Sequence, residues 1–414
     1  MSKILFLLGR YKPNSSPNGI CCEKIIADLC AAGHEVFCIS YDDYSIASAT
    51  KEKIYRIKRS PLNMISYKIE NHTGTLIKII KHILRILLFM KNFVLSPIAP
   101  WGDPVYTYRQ TCLAQRLHKQ NNFDIVVAVY KPLSSLITAC MIKKKYPSIV
   151  YIAYFLDSLS GGHPVRYMNK RLYFKKCIKW ENKVLKNCEK IIFMNSSKDH
   201  NLKNNGAKDW YKKVKYLDIP LLLNTTNEQS IIKKIDKPDH LIQVSFIGTL
   251  NIPMRNISYF LAICEKMADK NIIFKFVGDC NCKKLFDNYL KSNIIYIPRQ
   301  SHEDIKKIIL ESNILLNMGV NVPSAISGKI FEYMAYGKPI ISTYSIDNEA
   351  CIPYLKQYPA ALLINENIED IDTHVNAIMR FIQETYMKTI DLNEIRDLFY
   401  NNTPQAFIKY IINQ

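Results

Sequence analysis

A short segment in the last third of the chain combines residue types that are suited to holding a phosphate. In PSAISGKIFEYMAYGKPII, Ser327, Gly328 and Lys329 directly precede an apolar stretch with helical spacing. Serine is a favoured N-cap residue, and Gly337 followed by Pro339 is typical of a helix end. The free N–H groups at a helix start attract anions, and the lysine adds positive charge. The pattern therefore predicts a phosphate site at the start of a helix that spans residues 328–335.

Glu332 lies about one turn inside this predicted helix. A carboxylate there is able to accept hydrogen bonds from the two hydroxyls of a ribose. The alternative is an ordinary helix whose lysine and glutamate are simply hydrated, and the segment alone leaves both interpretations open.

The same segment, SGKIFEYMAYGKPII, resembles the donor-nucleotide motif of glycosyltransferases of the GT-B fold, especially family four. The resemblance implies that Glu332 binds the nucleotide ribose and that Ser327, Gly328 and Lys329 lie at the diphosphate. Many retaining members carry a second glutamate eight residues earlier, where this chain has Ser324. Donor binding is therefore better supported than a catalytic carboxylate or a stereochemical outcome.

The resemblance continues through the preceding residues. VSFIGTL, followed by Arg255, is similar to the first strand and loop of the family's nucleotide-binding domain, and implies that Arg255 contacts the donor phosphates. NIIYIPR resembles the strand whose following loop contacts the base, which makes Arg299 a candidate base ligand. A surface-solvated side chain is the alternative for Arg255.

Two candidates lie in the first half of the chain. The loop from Asn14 to Gly19 resembles the family's loop near the donor diphosphate or acceptor, and Gly19 would permit close backbone approach. Asp157 follows a predicted strand, so we expect it at a carboxyl edge, as a catalytic base or an acceptor contact. A plain turn glycine and a hydrated loop aspartate are the alternatives.

These residues are positioned by two series of alternating strands and helices. Apolar runs begin with Lys3–Leu8 in the first series and with Gln243–Ile247 in the second. This rhythm is typical of parallel sheets covered by helices. We predict an α/β fold with two Rossmann-like, doubly wound domains that face each other across a cleft, the GT-B arrangement. The predicted domains are an acceptor-side domain (1–215), a nucleotide-sugar domain (216–395) and a final helix that returns to the first domain (396–414).

The segment TLIKIIKHILRILLFMKNFVL, residues 75–95, combines a basic stripe with a broad apolar face. Lys78, Lys81 and Arg85 recur at three- and four-residue spacing. The embedded charges argue against a membrane span and favour a helix that lies in the interface of an anionic bilayer. A helix packed on its own domain is the alternative.

The composition excludes several classes of protein. With 56 Lys and Arg against 36 Asp and Glu in 414 residues, and 48% hydrophobic residues, the chain carries a net charge of +20 and is not a disordered polymer. Its 12 cysteines lack paired zinc spacing, so we predict a reduced, cytoplasmic protein without a metal site. The sequence contains no recognisable nucleic-acid module.

Together these observations predict a metal-independent glycosyltransferase. It would move a sugar from a nucleotide-diphosphate donor, expected to be a UDP-sugar, to a hydroxyl of a glycan or lipid-linked acceptor in surface polysaccharide assembly. The nucleotide sugar is a substrate, so no cofactor is expected. We also expect no nucleic-acid partner. We place the protein in the cytoplasm, peripheral on the inner face of the cell membrane. The alternatives are a nucleotide-sugar epimerase on the same fold and a non-catalytic basic protein that binds membranes or nucleic acid and keeps a relic nucleotide pocket.

Overall fold

The computed structural model describes two compact units. The first comprises Met1–Pro220 together with Pro404–Gln414, and the second comprises Leu221–Thr403. The description covers the whole chain except residues 14, 43–49, 70, 71, 73, 163, 166, 167, 224–240, 253, 288, 290–292, 323–325, 369, 386–389, 413 and 414, and the side chains of residues 67 and 302. The predicted loop residue Asn14 and Ser324, the counterpart of the missing glutamate, lie outside the described residues.

The first unit is built on a parallel sheet. Its strands are β1 (Lys3–Leu7), β2 (Glu35–Tyr41), β3 (Lys53–Ile57), β4 (Ile125–Tyr130), β5 (Val150–Phe155), β6 (Lys190–Met194) and β7 (Val214–Leu217). In the part of the chain that is described they form a 7-stranded sheet in the order β3-β2-β1-β4-β5-β6-β7. The order reverses between β1 and β4, which are direct neighbours.

Helices cover both faces of this sheet. They are α1 (Pro17–Ala31), α2 (Pro61–Lys68), α3 (Thr75–Val94), α4 (Pro104–Asn121), α5 (Leu133–Lys145), α6 (Lys170–Leu185) and α7 (Lys198–Asn205). Alternate residues of β1 enter different cores: Leu5 and Leu7 belong to one cluster, whereas Ile4 and Phe6 belong to the other. This is the period-2 alternation of a strand that is buried on both faces.

The second unit repeats the arrangement with a smaller sheet. Its strands are β8 (Ile242–Ile247), β9 (Ile272–Val277), β10 (Ile294–Ile297), β11 (Ile314–Met318), β12 (Ile340–Tyr344) and β13 (Ala361–Asn365). They form a 6-stranded sheet over the described residues, in the order β10-β9-β8-β11-β12-β13. The helices are α8 (Ile257–Lys266), α9 (Lys283–Asp287), α10 (His302–Glu311), α11 (Lys329–Ala335), α12 (Ile352–Gln357), α13 (Ile371–Thr385) and α14 (Leu392–Leu398).

The last helix, α15 (Pro404–Ile412), belongs to the first unit. Phe407 packs on Tyr154 of β5 with 4.6 Å between the ring centroids. Gln405 Nε2 donates to Asp28 Oδ2 of α1 at 2.7 Å. Apolar contact and a polar anchor therefore both hold α15 on the first sheet.

The predicted α/β fold with two Rossmann-like sheets is confirmed. In such sheets, ligands bind beyond the carboxyl ends of the strands, where the strand order reverses. The corresponding places are the ends of β1 and β4 in the first unit and of β8 and β11 in the second. Among the described residues, no helix combines the length and the apolar content that a membrane crossing requires.

Candidate functional site

The helix of the quoted motif starts later than predicted. α11 begins at Lys329, preceded by Gly328 in a helical conformation (φ −59°, ψ −19°), and no side chain caps it. The N–H of Ser327 instead donates to Cys351 Sγ at 3.2 Å. The prediction that Ser327 is the N-cap was therefore wrong, because Gly328 occupies the capping position and no side-chain hydroxyl caps the helix. Because α11 has only 7 residues, we do not attribute phosphate binding to its helix dipole.

The two charged residues of the motif are paired with each other. Lys329 Nζ lies 2.6 Å from Glu332 Oε2, three residues along the helix, and both side chains remain partly exposed. The predicted phosphate ligand therefore orients the predicted ribose ligand. A nucleotide that binds here must share these groups with their existing ion pair.

Tyr333 ties α11 to the carboxyl end of β8. Its buried hydroxyl lies 3.3 Å from both the N–H and the carbonyl oxygen of Ile247, the last residue of that strand. Burial raises the pKa of Tyr333, so the hydroxyl keeps its proton. The motif helix is thereby held where the strand order reverses, although the sequence did not single out this tyrosine.

Arg255 occupies the same edge of the sheet. Its guanidinium donates to the carbonyl oxygen of Met318, at the end of β11. It also lies over the ring of Phe246, with 5.7 Å from the guanidinium carbon to the centroid. Burial lowers the pKa of Arg255, while the negative groups around it act in the opposite direction. A positive charge is thus fixed between the ends of β8 and β11.

Two carboxylates that the sequence did not single out lie near this arginine. Glu349, after β12, is 2% exposed. Burial raises its pKa to about 7, although the Val320 N–H and the charge of Arg255 lower it. Burial also raises the pKa of Glu366, after β13, while the polar groups of Thr343 and Asn256 act in the opposite direction. Both follow strand ends, which was the available sequence signal.

The loops after β8 and β9 brace each other. Leu250 N–H donates to the Asp279 carbonyl at 2.8 Å. Gly278 has φ +140°, and a Cβ at that position would overlap the carbonyl oxygen of Gly248. Only glycine allows this approach, so Gly278 fixes the path of the loop that leads to Arg255.

Arg299 is placed differently from the other predicted donor ligands. It follows β10, and its guanidinium pairs with Asp279 at 3.6 Å in a strongly exposed setting. Exposed pairs of this kind contribute little energy, so the side chain is free to reorient. Its role at the base stays a prediction.

In the first unit, Gly19 lies in the first turn of α1. A Cβ on Gly19 would overlap the carbonyl oxygen of Arg10, so the packing of the loop itself requires glycine here, and the approach of this backbone to a substrate stays a prediction. Ser16 caps the helix by accepting from the Gly19 N–H at 3.2 Å. Arg56 Nη2 of β3 donates to the Lys12 carbonyl at 2.8 Å and fixes the other side of the loop.

Asp157, which follows β5, lies near polar groups from two neighbouring elements. Its Oδ2 lies 3.6 Å from Lys131 Nζ, which follows β4, and 3.4 Å from Asn18 Nδ2 in the first turn of α1. The carboxylate is about half exposed, with 49% of the side chain accessible. Asn18 and Lys131 were missed by sequence reasoning, although both flank predicted elements.

The basic helix α3 presents most of its apolar surface to solvent. Leu84 is buried, whereas Ile79, Ile83, Met90 and Phe93 are each more than half exposed. Lys78 and Arg85 are exposed beside His82, forming one edge of the apolar face. Lys81 differs, because it is half-buried and donates to the His72 carbonyl at 2.9 Å.

Comparison with known proteins gives a family match for part of the chain. Residues 242–384 match the family described as glycosyl transferases group 1, which confirms the resemblance seen in the sequence. A search of curated proteins gave no significant match.

Solved structures resemble the whole chain. A glycosyltransferase from Rickettsia africae has a TM-score of 0.61 and 15% identity, with 99% of this chain and 97% of that one covered. Anabaena Alr3699/HepE in complex with UDP and glucose has a TM-score of 0.59 and 12% identity, with 100% of both chains covered. WaaG, a glycosyltransferase involved in lipopolysaccharide biosynthesis, has a TM-score of 0.59 and 12% identity, with 99% of this chain and 100% of that one covered. At these identities the likeness establishes the GT-B fold.

The fold by itself does not separate transferases from epimerases. The UDP-GlcNAc 2-epimerase from Methanocaldococcus jannaschii also aligns, with a TM-score of 0.53, 11% identity and 99% of both chains covered. The family match over the second unit is what favours a transferase.

Proposed function

We propose that this chain, a GT-B-fold protein with a group 1 glycosyltransferase domain, transfers a sugar from a UDP-sugar to a hydroxyl of a glycan or lipid-linked acceptor. The observation that carries the proposal is the convergence of Arg255 and the Lys329–Glu332 pair on the carboxyl edge of the second sheet. That edge is where a nucleotide binds in doubly wound sheets.

The chemical requirement is stabilisation of the departing diphosphate. As the glycosidic bond of the donor breaks, negative charge grows on the diphosphate oxygens. Arg255 and Lys329 would supply positive charge, and the partly buried setting of Arg255 would make its charge effective. Glu332 would accept hydrogen bonds from the ribose hydroxyls. These side chains need no metal ion to neutralise the diphosphate, and metal independence remains part of the proposal.

In the first unit, Asp157 is the proposed contact to the acceptor hydroxyl. Its partly exposed carboxylate is able to accept the hydroxyl proton. Lys131 and Asn18 would hold it in place, and Gly19 would bring the backbone of the α1 turn close to the substrate. Arg299 remains the proposed base contact.

An anionic membrane surface is the proposed site of action. The apolar face of α3 points away from the unit and is flanked by Lys78 and Arg85. Helices of this kind lie in the interfacial plane of anionic bilayers. The likeness to WaaG, a protein of lipopolysaccharide biosynthesis, supports surface polysaccharide assembly as the setting. We therefore propose a cytoplasmic protein that is peripheral on the inner face of the cell membrane, with no nucleic-acid partner.

The basic surface extends beyond α3. Trp180 Nε1 and Lys176 Nζ of α6 donate to the carbonyls of Ile98 and Pro97, which follow α3 in the chain, at 3.1 and 2.8 Å. This contact joins α6 to the segment that follows α3, and α6 carries further exposed basic residues: Lys170, Arg171, Lys175 and Lys179. We include them in the proposed membrane surface.

Ligand-induced stabilisation followed by product analysis tests the proposal. UDP and UDP-sugars should raise the melting temperature, because they bind the native state, whereas adenosine diphosphate sugars should do so less. Incubation of the stabilising donor with membrane extracts should then yield a new glycosidic bond. Accumulation of an isomerised free sugar would instead support the epimerase, and absence of any nucleotide effect would support the non-catalytic alternative.

A further inference from the structure

The buried carboxylate of Glu349 has an unusual environment. Its Oε2 atom has no hydrogen-bond partner among the described residues. The other side of the carboxylate accepts the backbone N–H of Val320. A Cβ on Gly319 would overlap Oε2, so glycine at this position makes room for the acid. The chain therefore accommodates a costly group that packing alone would exclude.

The groups around Glu349 come from several elements. The positive charge comes from Arg255, and negative charge comes from Glu366 after β13. The Cys351 thiol lies beside the carboxyl group, and burial raises the pKa of that thiol to about 12, so it stays neutral. Tyr333 of α11 is the remaining titratable neighbour of Arg255, and it is also neutral. The charge balance is thus set by one arginine and two acids.

We propose that Glu349 is a proton-linked positioning residue: its charge attracts the Arg255 guanidinium, which is bound at the end of β11, and it takes up a proton when Arg255 engages the donor diphosphate. The inference rests on the proposed function, because it requires a nucleotide at Arg255. It adds a coupling between donor binding and protonation that the fold alone does not imply.

The direction of the coupling follows from the charges. In the free protein, burial raises the pKa of Glu349 to about 7, while the Val320 N–H and the attraction of Arg255 keep it from rising further. A bound diphosphate competes for that attraction and adds negative charge nearby, so the pKa of Glu349 rises further. Donor binding then takes up protons, and donor affinity falls as the pH rises above 7.

Calorimetric titration with UDP, in buffers that differ in ionisation enthalpy, measures this uptake. We expect the wild type to bind more protons per UDP at pH 7.5 than Glu349→Gln, which cannot titrate. Protons exchanged by UDP itself cancel in this difference. If the diphosphate raises the Glu349 pKa by about one unit, the affinity of the wild type relative to the variant falls about fourfold between pH 7 and 8.5.

The control is Glu303→Gln, which removes an exposed carboxylate on α10 and should leave the uptake at the wild-type value. Equal uptake by the wild type and Glu349→Gln, with UDP binding intact, overturns the inference but leaves the proposed function standing. Failure of the wild type to bind UDP overturns both. If Glu349→Gln does not fold, the measurement on the wild type alone is decisive. Its proton uptake on binding UDP must exceed the uptake of free UDP titrated over the same pH range. The absence of any excess would refute the coupling.

Discussion

At the scale of single residues, the ion pair between Lys329 and Glu332 makes two predicted donor ligands interdependent. The pair is partly exposed, and such pairs contribute between about 0.2 and 1 kcal/mol. Glu332→Ala should weaken UDP binding strongly. Lys329→Ala should also weaken it, and part of that loss should arise because Glu332 is no longer oriented by the lysine. The double variant should therefore lose less binding free energy than the sum of the single losses.

A double-mutant cycle on the UDP dissociation constant checks this coupling. A cycle between Glu332 and the exposed Arg299 serves as the matched control, because the described partner of Arg299 is Asp279. Additive losses for Lys329 and Glu332 would show that the two side chains act separately on the donor.

A second residue-scale prediction concerns stability in the absence of ligand. The folded-state pKa of Glu349 is raised from 4.5 to about 7. The folded protein therefore keeps a proton that the unfolded chain releases, so stability falls as the pH rises between these two values. Glu349→Gln removes this dependence. The melting temperature of the variant minus that of the wild type should be larger at pH 8 than at pH 5, by about 5 °C.

Thermal melts of both proteins at the two pH values provide the measurement. Parallel melting temperatures, with a constant offset between wild type and variant, would mean that Glu349 does not titrate in this range. Glu303→Gln should show no such pH-dependent offset, because its carboxylate is exposed.

At the scale of elements, α3 allows a direct test of membrane binding. Lys78→Glu together with Arg85→Glu reverses two exposed charges beside the apolar face. Each basic residue near an anionic bilayer contributes about 1 kcal/mol, so liposome binding should fall at least tenfold. Co-sedimentation with phosphatidylserine-containing liposomes measures the effect. Turnover on a soluble acceptor should be unchanged.

The control reverses two exposed lysines on other helices, Lys119 of α4 and Lys203 of α7. It makes the same change in net charge away from α3. Equal loss of liposome binding in both variants would indicate a diffuse effect of net charge and would count against α3 as the docking element.

The strands and helices also show how much of the secondary structure could be predicted from the sequence. The buried central strands β1 and β8 were predicted to within one residue at each end, because continuous apolar runs between turn residues stand out in the sequence. The edge strands β3 and β7 were missed. β3 reads KIYRI and has one fully buried residue, so its pattern is too polar to stand out. The start of α11 was predicted one residue early, and the contact between Ser327, which precedes the helix, and Cys351 joins segments that are distant in sequence.

At the site, the sequence identified side chains but not their partners. Lys329, Glu332 and Arg255 were found from the motifs that carry the family resemblance. The pairing of Lys329 with Glu332, the tie from Tyr333 to Ile247 and the burial of Glu349 arise only when distant segments fold together. Local patterns report helix and strand periodicity, and they carry no information on such contacts.

At the scale of the whole molecule, the chain contains two parallel sheets of similar design, and different polar side chains lie at the carboxyl edge of each. The second unit carries Arg255, Lys329 and Glu332, and the first presents Asp157 beside Lys131 and Asn18. We therefore propose that the second unit binds the donor. This division of roles is the central claim, since leaving-group stabilisation depends on it.

A crystal structure of the protein with UDP tests that claim most directly. We predict the diphosphate within hydrogen-bond distance of the Arg255 guanidinium and Lys329 Nζ, with the ribose hydroxyls on Glu332. UDP held by the first unit, or bound to the second unit away from Arg255 and Glu332, would contradict the account.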